Sequence, residues 1–375
     1  MGWSNCTRSP KNASPTPAHC LTWWRDERYR RSWRMGNSSR QLSVGTDLSL
    51  LESQLAMRTV LQGDATSAQI AALVMGLRSK GESALELEGM LAEVRCASAR
   101  VDLSPSVSAR AIDIVGTGGD KSHSVNISTM ASFVVAGAGI PVCKHGNRAA
   151  SSQCGTADVL EALGVRIDLG PSEVARCVEQ TGMGFCFAPN FHPAFRHAGP
   201  TRKELGVPTI FNLLGPMANP ADVAFMVVGV GDPRFAQRMA VAIASRGVKR
   251  AWVVHGHGGL DELSLSGPCS VVEVSAGSVR TLSINAADYG LQVADVTRVR
   301  GGDPAHNAKV VVDCFNGEAG PVRDIVVLNA AAGLVVAGVA RDMADAVAQA
   351  QKSIDSGSAL RVVKALKVSS NAVAR

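Results

Sequence analysis

At 375 residues the chain can form one large domain with an appendage or two ordinary domains. With 46% hydrophobic residues, 19% charged, only 4% aromatic and 37 glycines, it is neither disordered nor fibrous and suits a packed α/β protein better than a β-sandwich. The net charge of +6 does not make the body a polyanion binder, because residues 1 to 45 hold eight Arg/Lys against two Asp/Glu and leave thirty of each sign elsewhere.

Residues 1 to 45 read as a basic tail, disordered or assigned from too early a start, with Met35 as the alternative start. Trp3, Trp23, Trp24 and Trp33 lie here with arginines from Arg25 to Arg34, and no hydrophobic periodicity organises them. A targeting peptide is the other reading, weakened by Asp26 and Glu27. The cysteines show no metal or redox spacing, and no run of 18 apolar residues occurs, so a cytoplasmic chain without a membrane span is expected.

Residues 46 to 108 predict a small helical domain. Leu48, Leu51 and Leu55 mark a first helix closed by Gly63. Thr66 caps a second, with Ile70, Leu73, Val74 and Leu77 as its stripe and Gly81 at its end. Ser83 and Glu86 form a capping box for a third. After Pro105 short apolar strands alternate with helices: strands at 111–115, 141–144, 181–188, 223–230 and 250–255, helices at 127–138, 156–163, 172–180 and 233–245. That alternation predicts an α/β domain over 109–375 with a mostly parallel central sheet, whose ligands bind beyond the strands' carboxyl ends.

Three loops at such ends carry chemistry. Gly116-Thr117-Gly118-Gly119-Asp120 lets backbone N–H groups approach an anion and precedes Asn126-Ile127-Ser128-Thr129 at a helix start. Lys144-His145-Gly146-Asn147-Arg148 gathers two cations around a glycine, with Ser151 and Ser152 just beyond. Gly259-Leu260-Asp261-Glu262-Leu263 offers adjacent carboxylates, which suit Mg²⁺ shared with substrate phosphates. Together they describe a site for a Mg²⁺-bound polyphosphate.

These motifs, with Ala157–Gly164 and Arg202–Pro216, resemble the signature of the anthranilate phosphoribosyltransferases, in order and spacing from about residue 48 to the C-terminus. The resemblance implies transfer of the phosphoribosyl group of phosphoribosyl pyrophosphate to the amine of anthranilate in tryptophan biosynthesis. It also implies a homodimer, Mg²⁺ as cofactor, a helical domain rejoined by helices from about 172 to 205, and a site between the domains. Carried over by motif, Gly116, Thr117, Gly118, Gly119, Asp120, Ser124, Asn126, Ser128, Thr129, Lys144 and Ser152 would hold phosphoribosyl pyrophosphate. Gly116, His145, Asn147, His192 and Arg202 would hold anthranilate, and Ser128, Asp261 and Glu262 the metal. No general base is assigned beyond His145 as a candidate. Lys121 departs from the family, which places glycine after the aspartate; Ser124 keeps the hydroxyl of the family's threonine, and Thr156 replaces a serine. The alternatives are a paralogue acting on another aminobenzoate and a pyrimidine nucleoside phosphorylase, which has no use for the Asp261-Glu262 pair. A nucleic-acid partner is not expected.

Overall fold

The computed structural model describes residues 35–149 and 152–372. Helix α1 (Met35–Ser43) lies within the stretch expected as a tail; residues 1–34 fall outside the described residues. Met35 and Leu42 are buried, and the helix packs on α3. Helices α2 (Leu50–Gln62), α3 (Ser67–Lys80) and α4 (Ala84–Cys96) each start at a reciprocal capping box: Ser49 with Glu52, Thr66 with Gln69, Ser83 with Glu86. Gly63 ends α2 in the left-handed conformation. The α2 stripe is rotated from the expected one. Ala56, Met57, Val60 and Leu61 are buried while Leu51 is 43% exposed, and Leu48 is buried ahead of the helix. Spacing alone could not place Leu48 outside the helix.

Among the described residues one seven-stranded sheet follows: β1 (Ile112–Gly116), β2 (Val142–Gly146), β3 (Met183–Phe187), β4 (Phe225–Gly229), β5 (Arg250–His255), β6 (Cys269–Ser275) and β7 (Ser278–Ile284). The order is β3-β2-β1-β4-β5-β6-β7, parallel through β5 and antiparallel for the last two strands. The last two strands were not anticipated. They pair through Ala276-Gly277, both at positive φ, which closes a two-residue hairpin of the primed type.

Helix α5 (Pro105–Ser108) leads into β1, and α6 (Ile127–Gly137), α7 (Thr156–Ala162) and α8 (Pro171–Thr181) connect the first three strands. Then come α9 (Ala188–Phe191), α10 (Gly199–Leu205), α11 (Ile210–Met217) and α12 (Ala236–Ala244), and after the hairpin α13 (Pro304–Phe315), α14 (Pro321–Val336), α15 (Met343–Asp355) and α16 (Ser358–Asn371). Of the segment 172–205 expected to rejoin the helical layer, the first part does not. Val174, Cys177 and Val178 turn α8 onto β3 and α16. Only from residue 188 does the chain cross back: the turn 193–197 packs on α2, α10 on α3, and α11 on α4. Arg95 and Arg100 both pair with Asp222, tying the end of α4 to the approach to β4. The helical layer therefore overhangs the sheet on one side. The order in which strands are added reverses at β1, between β2 and β4, and the loops after β1 and β4 meet there.

Candidate active site

The glycine loop leaves β1 at Gly116 and crosses the switch point. Thr117 N–H donates to Gly229 O at 2.9 Å, and Gly231 N–H donates to Thr117 Oγ1 at 3.3 Å. Gly118 and Gly119 have φ of 67° and 78°, as a tight anion-binding turn needs. Lys121, at the family's glycine position, also takes a positive φ, 61°, and His123 one of 51°. The loop keeps its left-handed turn without the residue that accepts it most easily, at a cost of roughly 1 kcal/mol. Both side chains are exposed.

Asp261 and Glu262 come in from the β5–β6 connection and are buried. Gly118 N–H donates to Asp261 Oδ2 at 2.6 Å. A Cβ on Gly116 or Gly229 would collide with Asp261, so both glycines are there to let the acid approach. Burial first, then the charge of Asp120, push the Asp261 carboxyl up to about 7. Burial and then Asp261 hold Glu262 well above the usual carboxylate range, against the pull of Lys144 and of the Ser128 backbone N–H. Asp120 itself accepts from Ser122 N–H and Oγ–H, both at 3.0 Å.

Lys144 lies 1% exposed beneath the loop. Its ammonium donates to Ile114 O and, at 3.1 Å, to Ser128 Oγ. Burial pulls its pKa down, opposed by Asp113, Glu262 and Asp261. Ser128 opens the first turn of α6, and Thr129 is buried with its hydroxyl on Thr156 Oγ1 at 3.3 Å. The structure thus brings together Gly116 to Asp120, Ser128, Lys144, Asp261 and Glu262. Asn126 is engaged wholly by protein: Nδ2 donates to Cys154 O at 3.1 Å and Oδ1 accepts from Asn307 Nδ2 at 2.9 Å. It ties the segment after β2 to the start of α13. Ser152 and Asn147 are exposed on the rim, and residues 150 and 151 are outside the described residues.

A second cluster adjoins it. His145 Nδ1 hydrogen-bonds Gly215 O at 3.1 Å, and His192 hydrogen-bonds the Ala218 backbone, so both rings hang on the end of α11. Their rings meet edge-on at 5.0 Å; His192 stacks on Phe195 at 5.3 Å, and Phe195 meets Phe211 edge-on at 5.2 Å. The Arg202 guanidinium lies over the Phe211 ring at 4.9 Å. Burial, reinforced by His192, drives His145 well below the ordinary histidine range, and burial alone brings His192 to about 4. Both rings are therefore neutral at pH 7, each with an unpartnered Nε2. Burial also lowers the Arg202 pKa.

Sequence reasoning missed Phe195, the buried Asp113 that accepts from His145 N–H at 3.2 Å, and Asn219, which donates to Asp113 at 2.8 Å. It also missed Asn307. Only Asn307 had a readable signal: Gly301-Gly302-Asp303-Pro304 marks a loop ending at a helix start.

Among the described residues no three His, Cys, Asp or Glu side chains converge as a metal cage. The donor set still fits Mg²⁺, which takes one or two carboxylates and completes its shell with phosphates and water. Two buried carboxylates repelling each other are what a divalent cation would relieve.

A glycine-rich loop at the switch point of an α/β sheet, beside an aromatic, cation-bearing cluster carried by residues that pack on a helical layer, matches a glycosyl transferase of two-domain build. Family models agree: residues 39–98 match the helical bundle domain of a glycosyl transferase family and residues 108–360 its a/b domain. An anthranilate phosphoribosyltransferase of Rhodopseudomonas palustris (strain BisB5) is 49% identical over 319 residues, covering 85% of this chain and 93% of the relative. The crystal structure of the Thermus thermophilus enzyme superposes with a TM-score of 0.84 at 39% identity, covering 89% of this chain and 99% of that one. The Saccharomyces cerevisiae enzyme in complex with PRPP and Mg gives 0.81 at 27%, covering 90% and 97%. The chain belongs to the anthranilate phosphoribosyltransferase family.

Proposed function

We propose that the protein transfers the phosphoribosyl group of phosphoribosyl pyrophosphate to the amine of anthranilate, giving N-(5-phosphoribosyl)anthranilate and pyrophosphate on the way to tryptophan. The observation that carries this is the adjacency of two unlike half-sites. One is an anion loop backed by Lys144 and two buried carboxylates; the other is a neutral aromatic cluster ending in Arg202. The yeast complexes, one with PRPP and Mg and one with 4-fluoroanthranilate, support the same pair of ligands.

The C1–O bond to pyrophosphate breaks as the anthranilate nitrogen bonds to the opposite face of C1, through an oxocarbenium-like transition state. Negative charge grows on the leaving pyrophosphate. The N–H groups of Gly116 to Asp120 and the hydroxyls of Ser124 and Ser128 receive it, with Lys144 as the buried cation behind them and Thr129, its hydroxyl spent on Thr156, in support. Asp261, Glu262 and Ser128 would hold Mg²⁺, which supplies further charge neutralisation on the leaving group. Arg202 pairs with the anthranilate carboxylate as a fork, and Phe211 beneath its guanidinium limits its freedom. The amine is uncharged at neutral pH, so no strong base is required, and the proton its nitrogen sheds on bonding to C1 passes to the departing pyrophosphate or to water. His145 and His192, held neutral by burial, accept a hydrogen bond from the amine at Nε2 rather than retaining a proton. Asn147 and Ser152 contribute from the rim.

The helical layer and the α/β body, divided near residue 108, form the cleft. A homodimer is part of the same proposal, as the resemblance implies. No described helix is long and apolar enough to cross a membrane.

Purified protein mixed with phosphoribosyl pyrophosphate, Mg²⁺ and anthranilate should quench anthranilate fluorescence. The Asp261→Ala/Glu262→Ala variant should not. A folded protein that binds the pyrophosphate yet leaves the fluorescence intact would point to a different amine.

A further inference from the structure

Residues 299 to 301 run antiparallel to 123 to 125, outside the seven-stranded sheet. Val125 N–H donates to Val299 O at 2.9 Å and Gly301 N–H to His123 O at 2.8 Å, leaving Ser124 and Arg300 directly opposed. This is the non-hydrogen-bonded pair of an antiparallel ladder, whose facing Cα atoms lie about 4.5 Å apart and whose side chains leave on the same face. Burial fixes which face that is. Val125 and Val299 are 3% and 2% exposed, so they root the ribbon in the core, and Ser124 and Arg300 point the other way.

The ribbon is held firmly. A Cβ on Gly301 would lie 2.9 Å from Ser124 O, so only glycine lets the two segments come this close. Behind it Asn307, 2% exposed, accepts from Gly302 N–H at 2.8 Å and donates to Asn126. Asp303, the nearest acid in sequence, caps α13 through His306 N–H. Arg300 is exposed, and among the described residues it has no ion pair and no side-chain hydrogen bond. A guanidinium is thus carried beside the anion loop with no carboxylate to answer it.

We propose that Arg300 is a further binding residue for phosphoribosyl pyrophosphate, placing its guanidinium on the pyrophosphate end beside Ser124. This rests on reading the 116–129 loop as the pyrophosphate site. Arg300 and Lys121 then form an outer cationic rim, and Lys144 the inner cation. A planar fork binds two phosphate oxygens through parallel N–H bonds, a geometry the Lys121 ammonium lacks.

The test compares wild type with Arg300→Gln and Arg300→Lys in the full chain, titrating Mg²⁺-pyrophosphate by calorimetry and measuring both Michaelis constants. Loss of one charge-assisted contact predicts about tenfold weaker Mg²⁺-pyrophosphate binding in Arg300→Gln and a matching rise in KM for phosphoribosyl pyrophosphate. KM for anthranilate and the unliganded melting temperature should stay put. Arg300→Lys should recover part of the loss, and the wild-type advantage should shrink as salt is raised. Wild-type values in Arg300→Gln would overturn the proposal, as would equal losses in both variants with a lowered melting temperature. Arg300-dependent binding of Mg²⁺-pyrophosphate by a chain that transfers nothing to anthranilate would support the assignment while sinking the reading of the acceptor.

Discussion

The Asp261 carboxyl carries a cost that only a cation or a proton removes. Its pKa rises from 3.8 in the unfolded chain to about 7 in the fold, so the folded state binds more protons between those values. The stability this group contributes is complete below pH 3.8 and is lost as pH rises through about 7. His145 and His192 act in the opposite sense. Their depressed pKa values give a contribution that is full above 6.5 and lost as pH falls, for His192 through about 4. A plain pH–stability curve mixes the two, whereas a variant separates them. Asp261→Asn keeps the acceptor for Gly118 N–H and removes the charge. Its unfolding free energy minus that of wild type, without Mg²⁺, should therefore grow more positive from pH 5 to pH 8, by on the order of 1–3 kcal/mol. Addition of Mg²⁺ and pyrophosphate should stabilise wild type and leave the variant nearly unmoved. A pH-independent difference would mean that Asp261 is not the buried charge described above.

At the scale of elements, the ends of β1 and β4 are shaped by the loop they must admit. A Cβ on Gly229 would overlap the Asp261 backbone carbonyl, and that backbone cannot retreat because Leu260 and Leu263 anchor it in the core. Gly229→Ala should cost more than about 3 kcal/mol in urea unfolding, the range of severe core strain, and should weaken Mg²⁺-pyrophosphate binding in whatever protein folds. A loss below about 1 kcal/mol would show that the connection shifts freely. The same elements explain what the sequence makes legible. Strands β1 to β5 are buried on both faces, so they read as continuous apolar runs ended by glycine or a polar loop, and their expected bounds lie within two residues of the observed ones. The β6–β7 hairpin escapes that rule. Strand β7 exposes Ser278, Arg280, Thr281 and Ser283, and the turn Ala276-Gly277 lacks the Asn-Gly or Asp-Gly signal. Helix α8 was legible as a helix but not in its destination, because an apolar stripe does not say which surface it will cover.

Across the whole molecule, the two proposed half-sites gather their residues differently, although His145 of the second stands beside Lys144 of the first on β2, and this divides what the sequence reveals from what it hides. The half proposed for phosphate is built from contiguous motifs, so Gly116–Asp120, Ser128 and Lys144 announce themselves. The half proposed for anthranilate is assembled from single residues far apart in the chain. Phe195 has no local signature, and it matters only because the return of residues 188–217 to the helical layer lays it between His192 and Phe211. That division predicts separable kinetics. Phe211→Leu keeps an apolar residue of similar volume but removes the ring face under Arg202, worth about 0.5–2 kcal/mol for a guanidinium on an aromatic. Arg202 then loses its orientation while the loop at the switch point, on the other layer, is untouched. KM for anthranilate should rise roughly 3- to 30-fold by that energy, with KM for phosphoribosyl pyrophosphate within about twofold of wild type. Steady-state kinetics with each substrate varied in turn decides the matter. A parallel rise in both constants would show that the two layers respond as one body and that the half-sites are not independent.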